Sequence, residues 1–288
     1  MKHMKGGEVP APDGDPSVRK ANAKKLAAGY TKKKRFLECC YLSLATYLWF
    51  TQFLVIARYF VHSGDAKITQ LAWTPLMMVC AMTLADFIGG IAHWGLDTWG
   101  TPDTPVFGNF IRSFREHHVD QAAMTKHDFI ETNADTTLPL IPVLLLQRYF
   151  LYYGARSSTT AAAAQTIGEG HSSSSSSYAY NVSNENVGMH VFLLTLTLCI
   201  AFTNEIHKWS HEAKPNPVAR ALMAHNVILT PLGHRRHHRD NHDISYCITT
   251  GWLNVFLDKV EFWRKAETVV TALTGAIPRA NDQHLLGK

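Results

Sequence analysis

The stretch Asp86-Phe87-Ile88-Gly89-Gly90-Ile91-Ala92-His93-Trp94-Gly95-Leu96-Asp97 closes an apolar run that begins at Leu71. Leu71–Ala92 has about the 20 residues that carry a helix across roughly 30 Å of hydrocarbon. If the helix continues past Ala92, Asp86, His93 and Asp97 fall on one face, at spacings of seven and four. An apolar span would then end in an inward polar stripe. Working outward, Phe36–Phe60, Thr136–Tyr153 and Val187–Ile206 are runs of the same kind. Pro139 and Pro142 interrupt the third, so a kinked or re-entrant segment is expected there. The fold class that follows is all-α and integral to a membrane, with about four transmembrane helices.

Composition agrees only when read locally. The 288 residues are 46% hydrophobic, and the mean hydropathy of -0.09 would suit a soluble protein. The apolar residues are nevertheless gathered into blocks, and four buried core helices would need an unusually large apolar shell around them. Residues 1–35, rich in Lys, Gly, Pro and Ala with no apolar period, read as a disordered cytosolic tail without a cleavable leader. A membrane domain is expected over 36–281, followed by a tail at 282–288. A low-complexity insert at about 154–186 contains Ala161–Ala164, Ser172–Ser177 and the sequon Asn181-Val182-Ser183. The net charge of +5 includes Lys32–Arg35 before the first span and Arg235, Arg236 and Arg239 after the fourth. Beside apolar segments, such tracts point to an anionic membrane surface rather than nucleic acid, and they place both ends in the cytosol. The insert is then lumenal. Five cysteines without a CxxC spacing exclude a disulfide framework and a thiolate metal site.

Sixteen histidines are many for this length, and most lie in a few short stretches. His93 follows the second span, Glu116-His117-His118 lies between the second and third, and His207 and His211 end the fourth. His234, His237 and His238 form an HxxHH stretch that shares one face of a helix. In the expected topology every one of these clusters lands on the cytosolic side. A lone histidine near a helix end is more often a cap or a solvated residue, but recurrence at i, i+3 and i+4 beside each cytosolic helix end is not. The candidate metal ligands and catalytic residues are therefore His93, Asp97, His117, His118, His207, His211, His234, His237 and His238. They are too many for one tetrahedral zinc, and two metals sharing them is the economical reading. Imidazole suits iron, zinc, copper or nickel, so ligand type does not name the metal. Asp86, Glu116, His127, Asn204, His225 and His242 are expected to orient the ligands or meet substrate, whereas His3, His62, His171, His190 and His284 read as incidental.

A membrane metal carrier, a metal-storing protein or an adaptor without catalysis is the non-enzyme alternative. A carrier predicts ligands at mid-membrane depth, whereas these lie at span ends. Pro215–Leu232 and Trp252–Trp263 mix apolar and polar residues too evenly to span and read as interfacial helices over the site.

The quoted residues, with His93-Trp94-Gly95-Leu96-Asp97-Thr98-Trp99-Gly100, Phe114-Arg115-Glu116-His117-His118, His127-Asp128-Phe129-Ile130-Glu131-Thr132-Asn133, His207-Lys208-Trp209-Ser210-His211 and Tyr246-Cys247-Ile248-Thr249-Thr250-Gly251-Trp252-Leu253-Asn254, resemble the plasmanylethanolamine desaturase (Kua) family of membrane histidine-motif lipid desaturases. The likeness runs from about residue 36 to 281. It implies an endoplasmic-reticulum, multi-pass oxidoreductase with its active site facing the cytosol. Such an enzyme forms the vinyl-ether double bond of plasmalogens from 1-O-alkyl-2-acyl-glycerophosphoethanolamine. It further implies two Fe ions held by the nine residues above, O2 as co-substrate, and electrons from NADH through cytochrome b5 and its reductase. Gly233 stands where the family suggests one more histidine, so that position is not expected to hold metal. The rivals within the chemistry are a phosphatidylglycerol acyl-chain desaturase and a lipid hydroxylase.

Overall fold

The structure, a computed structural model, describes residues 15–62, 66–152, 182, 186–239 and 242–278, and every regular element among them is helical. The chain enters through a short helix, Pro16–Ala27 (α1). Asp15 caps it by accepting the Ser17 N–H at 2.7 Å, and Pro16 supplies the preset first turn. The expected disordered tail is therefore corrected over residues 15–35. The reason lies far along the chain, in the helix Gly108–Val119 (α4). Arg112 Nη1 donates to the Leu26 carbonyl at 2.9 Å, Arg19 Nη2 donates to the Val119 carbonyl at 3.1 Å, and Leu26 is buried. No local period announces such a dock. Residues 1–14, the 282–288 tail and nearly all of the 154–186 insert, with its sequon and serine run, lie outside the described residues.

Thr31 opens the first long helix by accepting the Lys34 N–H at 3.1 Å. That helix, Lys32–His62 (α2), together with Ala66–Thr98 (α3) and Val187–His211 (α7), is long and apolar enough to cross a bilayer. In their most apolar windows only 33%, 28% and 33% of residues are buried within the protein, so most of that surface faces outward. Phe50, Phe53, Trp73, Leu76 and Val79 all point away from the core, which lipid tolerates and water does not. The remaining expected span is helical but broken. Phe129–Thr137 (α5) passes through a 3-10 turn at Leu138–Leu140 into a helix over 141–152 (α6). Pro139 in that turn lacks the N–H that an unbroken α-helix needs. Three described helices, rather than four, thus have the length of a full crossing.

Cross-helix pairs give the directions. Lys34 meets Asp135 at 2.9 Å and Gln52 Nε2 donates to the Leu144 carbonyl at 2.7 Å, so α2 and α5–α6 run the same way. Asn133 Nδ2 donates to Glu205 and Gln147 Nε2 to the His190 carbonyl, each at 3.1 Å, so α7 runs against them. Between these helices Ala45, Leu48, Trp49, Leu144, Val191 and Leu194 form the apolar core, and Trp49 Nε1 donates to Thr197 Oγ1 at 3.0 Å. Gly188 faces Met77 and Gly89 faces Thr203, so α3 runs with α7, and their C-terminal ends meet at the end where α2 begins. Four short helices cross this end: Pro217–Ala224 (α8), Pro231–Arg239 (α9), Asn254–Lys259 (α10) and Phe262–Thr274 (α11). α8 and α10 fall within the two segments read as interfacial, and Val218, Leu232, Phe256, Val269 and Leu273 are exposed on the four helices.

Candidate metal centre

Each cluster reaches the centre on a helix whose own sequence places it. α3 continues beyond its apolar run to Thr98, so His93 and Asp97 sit one turn apart, with His93 Nε2 and Asp97 Oδ2 at 2.9 Å. α4 brings in His117 and His118, both buried, and the last turns of α7 carry His207 and His211. α9 begins where Thr230 Oγ1 accepts the Gly233 N–H at 3.1 Å and Pro231 sets the first turn. His234, His237 and His238 follow on one face.

All nine expected ligands fall into two groups, five in one and four in the other. His117, His207, His211, His234 and His238 make the first; His93, Asp97, His118 and His237 make the second. In the first, His234 Nε2 lies 2.8 Å from both His207 Nε2 and His238 Nε2, and His117 Nε2 is 3.1 Å from His238 Nε2. In the second, Asp97 Oδ2 is 3.3 Å from His118 Nε2 and 3.6 Å from His237 Nε2. The groups adjoin, since the His93 and His207 rings are 5.7 Å apart and the His237 and His238 rings 5.3 Å apart across the boundary.

Tautomers follow from the outer nitrogens. His93 Nδ1 lies 3.0 Å from the Tyr246 carbonyl and His237 Nδ1 lies 2.8 Å from the Ile244 carbonyl. A carbonyl only accepts, so each Nδ1 carries the proton and each Nε2 turns its lone pair inward. Burial, reinforced by neighbouring imidazoles, holds His117, His234, His237 and His238 well below the usual histidine range. These rings are therefore neutral at pH 7 and able to ligate. His234 Nε2 cannot donate to both neighbours at once, and both Asp97 oxygens are buried without a well-angled hydrogen bond. A cation inside each group would satisfy these converging lone pairs, and the donor sets, all nitrogen in one and three nitrogens with a carboxylate in the other, suit a pair of metal ions.

Comparison with known proteins places the same residues in a family. Residues 82–281 match the lipid desaturase domain. The chain belongs to that family. The resemblance drawn from the motifs thus holds, and membership makes this chain a membrane oxidoreductase of lipids. It is 39% identical over 267 residues to plasmanylethanolamine desaturase 1 of Mus musculus, covering 91% of this chain and 86% of that protein. It is 33% identical over 266 residues to plasmanylethanolamine desaturase of Myxococcus xanthus, covering 92% and 82%. It is also 26% identical over 199 residues to the chloroplastic fatty acid desaturase 4 of Arabidopsis thaliana, covering 68% and 51%. No solved structure matches.

Among the expected orienting residues of this desaturase, Asp86 acts on the loop that supports the ligands. It is fully buried, and its Oδ1 accepts the backbone N–H groups of Thr249, Thr250 and Gly251 at 3.1, 2.7 and 3.0 Å. The same loop carries the Ile244 and Tyr246 carbonyls that hold His237 and His93. Gly251 makes the turn with φ +71, and Gly90 lets α3 approach so closely that an added Cβ would stand 2.7 Å from Cys247 Sγ. Tyr246 packs edge-on against His93 and Trp263 edge-on against Tyr246, sealing the second group from outside. His242 stacks on His118 with ring centroids 4.0 Å apart. Glu116 accepts from the Tyr30 hydroxyl at 2.7 Å, and His127 meets Tyr30 edge-on at 4.6 Å. His225 is the exception: it stands exposed at the C-terminus of α8, and no ring contact joins it to either group among the described residues.

Beside the first group opens a cleft whose wall includes Tyr30, Glu116, His117, His127, Glu131 and Asn204. Tyr30, just after α1, has no local signal for a place in the site, and the carbonyls of Ile244 and Tyr246 are backbone groups that no motif marks.

Proposed function

We propose that this chain is a plasmanylethanolamine desaturase that forms the vinyl-ether double bond of plasmalogens in 1-O-alkyl-2-acyl-glycerophosphoethanolamine. The observation that carries the reading is the convergence of nine donors into adjoining groups of five and four at one end of the helix bundle. The extent of the likeness to two proteins of that name, about nine-tenths of this chain, supports it. His117, His207, His211, His234 and His238 would hold one iron; His93, Asp97, His118 and His237 would hold the other. A pair of irons there supplies the oxygen activation needed to take hydrogen from unactivated carbon.

The reaction removes two hydrogens from the alkyl chain and reduces one O2 to two waters. It uses two protons and two electrons, the latter from NADH through cytochrome b5 and its reductase. The chain's own residues keep Nε2 lone pairs inward, through Ile244 and Tyr246, and exclude water from the second group, through Tyr246, Trp263 and Trp94. We place the enzyme in the endoplasmic reticulum membrane, with one catalytic unit over 36–281 and the centre facing the cytosol. Lys34 and Arg35 at the start of α2, and Arg235 and Arg236 on α9, stand at the metal end, as the positive-inside rule asks.

Expression in cells that make the saturated ether precursor but no vinyl-ether lipid tests the proposal. Wild type is expected to restore plasmalogens, and His118→Ala and His238→Ala, one from each group, to abolish them. Undiminished product in both variants would remove the assignment. A hydroxylated lipid, or an unsaturated phosphatidylglycerol acyl chain, would move it to the neighbouring chemistry.

A further inference from the structure

A bond formed at the first two carbons of the ether-linked chain sets a distance. From the first alkyl carbon through the ether oxygen and glycerol to phosphorus is some six bonds, roughly 7 Å at ordinary bond lengths. The head group must therefore lie beside the metals, unlike that of a mid-chain desaturase. The cleft beside the first group is lined by two members of the five-histidine group, His117 and His207.

Its polar groups are unequally satisfied. Lys34 is shared by Glu38 and Asp135, at 2.5 and 2.9 Å, and Glu116 takes the Tyr30 hydroxyl and faces Arg112 at 3.5 Å. Glu131, its side chain 28% exposed, lies 4.0 Å from the His127 ring and within the field of the Arg35 guanidinium, but no lysine or arginine comes within ion-pair distance of it among the described residues. On the same wall His117 turns Nε2 toward His238, leaving Nδ1 on the other edge of the ring, buried and without a hydrogen-bond partner. His93 and His237 have protein carbonyls for that outer nitrogen. The cleft thus offers a carboxylate with no direct cationic partner among the described residues, beside His117, whose outer nitrogen is buried and without a hydrogen-bond partner.

We propose that this cleft seats the zwitterionic head group of the lipid, with Glu131 receiving the primary ammonium and His117 Nδ1–H donating to a phosphate oxygen. The inference rests on the ether-lipid reading above and adds to it the residue that sets head-group choice. A charge-assisted contact of this kind is worth roughly tenfold in binding.

The test uses the full-length chain. Metal-free protein in detergent is offered equal amounts of 1-O-alkyl-2-acyl lipid with an ethanolamine or a bare phosphate head group, and native mass spectrometry reads the ratio retained. Iron-loaded protein is then assayed on the same pair in phosphatidylcholine vesicles. Glu131→Gln is expected to lower the ethanolamine-to-phosphate ratio roughly tenfold in both measurements, and Glu131→Asp to keep most of it. A Glu131→Gln ratio within about twofold of wild type overturns the proposal. Should wild type form no vinyl ether from either lipid, the reaction assigned above fails, while the retention ratio still decides the occupant of the cleft.

Discussion

Replacing Asp86 by alanine should unfasten the second metal group without touching a ligand. Three backbone donors at 3.1, 2.7 and 3.0 Å would lose a buried, charged acceptor. Each such bond is worth about 1.5–3 kcal/mol. Removing a buried carboxylate returns part of that, so the net cost is about 3–5 kcal/mol. The freed loop carries the Ile244 and Tyr246 carbonyls, so the His237 and His93 rings lose their orientation. Loss of such outer partners lowers metal affinity by roughly 10–100-fold. Thermal unfolding in detergent and iron content after dialysis against a weak chelator are the assays. Asp86→Ala should unfold earlier and fall from two irons toward one. Thr249→Ala, which removes only the 2.8 Å contact to Thr203 Oγ1, should cost about 1 kcal/mol and keep both. An Asp86→Ala protein with unchanged unfolding and two irons would refute the chain of reasoning from carboxylate to loop to imidazole.

Asp97→Asn should abolish product and lower iron content, because the carboxylate is the one anionic donor in its group; elemental analysis of the purified variant checks this. Gly90→Ala should destabilise by about 1–3 kcal/mol, since the new methyl would meet Cys247 Sγ at 2.7 Å, and the shift should appear in thermal unfolding. The pH dependence has a defined sign. His117, His234, His237 and His238 are depressed below 6.5 by burial, so the unfolded chain binds more protons than the folded one below that value. Stability of the metal-free protein should therefore be full above about pH 6.5 and fall as the solution is acidified below it, as denaturant unfolding at pH 7.5 and 5.5 would register.

The elements set by local pattern were legible in the sequence: the apolar runs that became α2, α3 and α7, and the helical stripes at His93/Asp97, His207/His211 and His234/His237/His238. These depend on side chains within a few residues of one another, and helical periodicity displays them directly. Pro139 likewise marked the break between α5 and α6 in advance, although not that it would divide the segment into two short helices.

Only the tertiary structure decided which donors come together in one group. Adjacent His117 and His118 part into different groups, because neighbouring positions on α4 point about a quarter-turn apart and face different helices. The same holds for α1, whose order comes from Arg112, for Tyr30, which lies opposite Glu116, and for Asp86, whose partners begin at Thr249. Each is a contact between segments distant in sequence, written in no local period. The sequence alone determined the long apolar helices and singled out the nine candidate donors; packing of α3, α4, α7 and α9 at one end of the bundle determined their division into five and four.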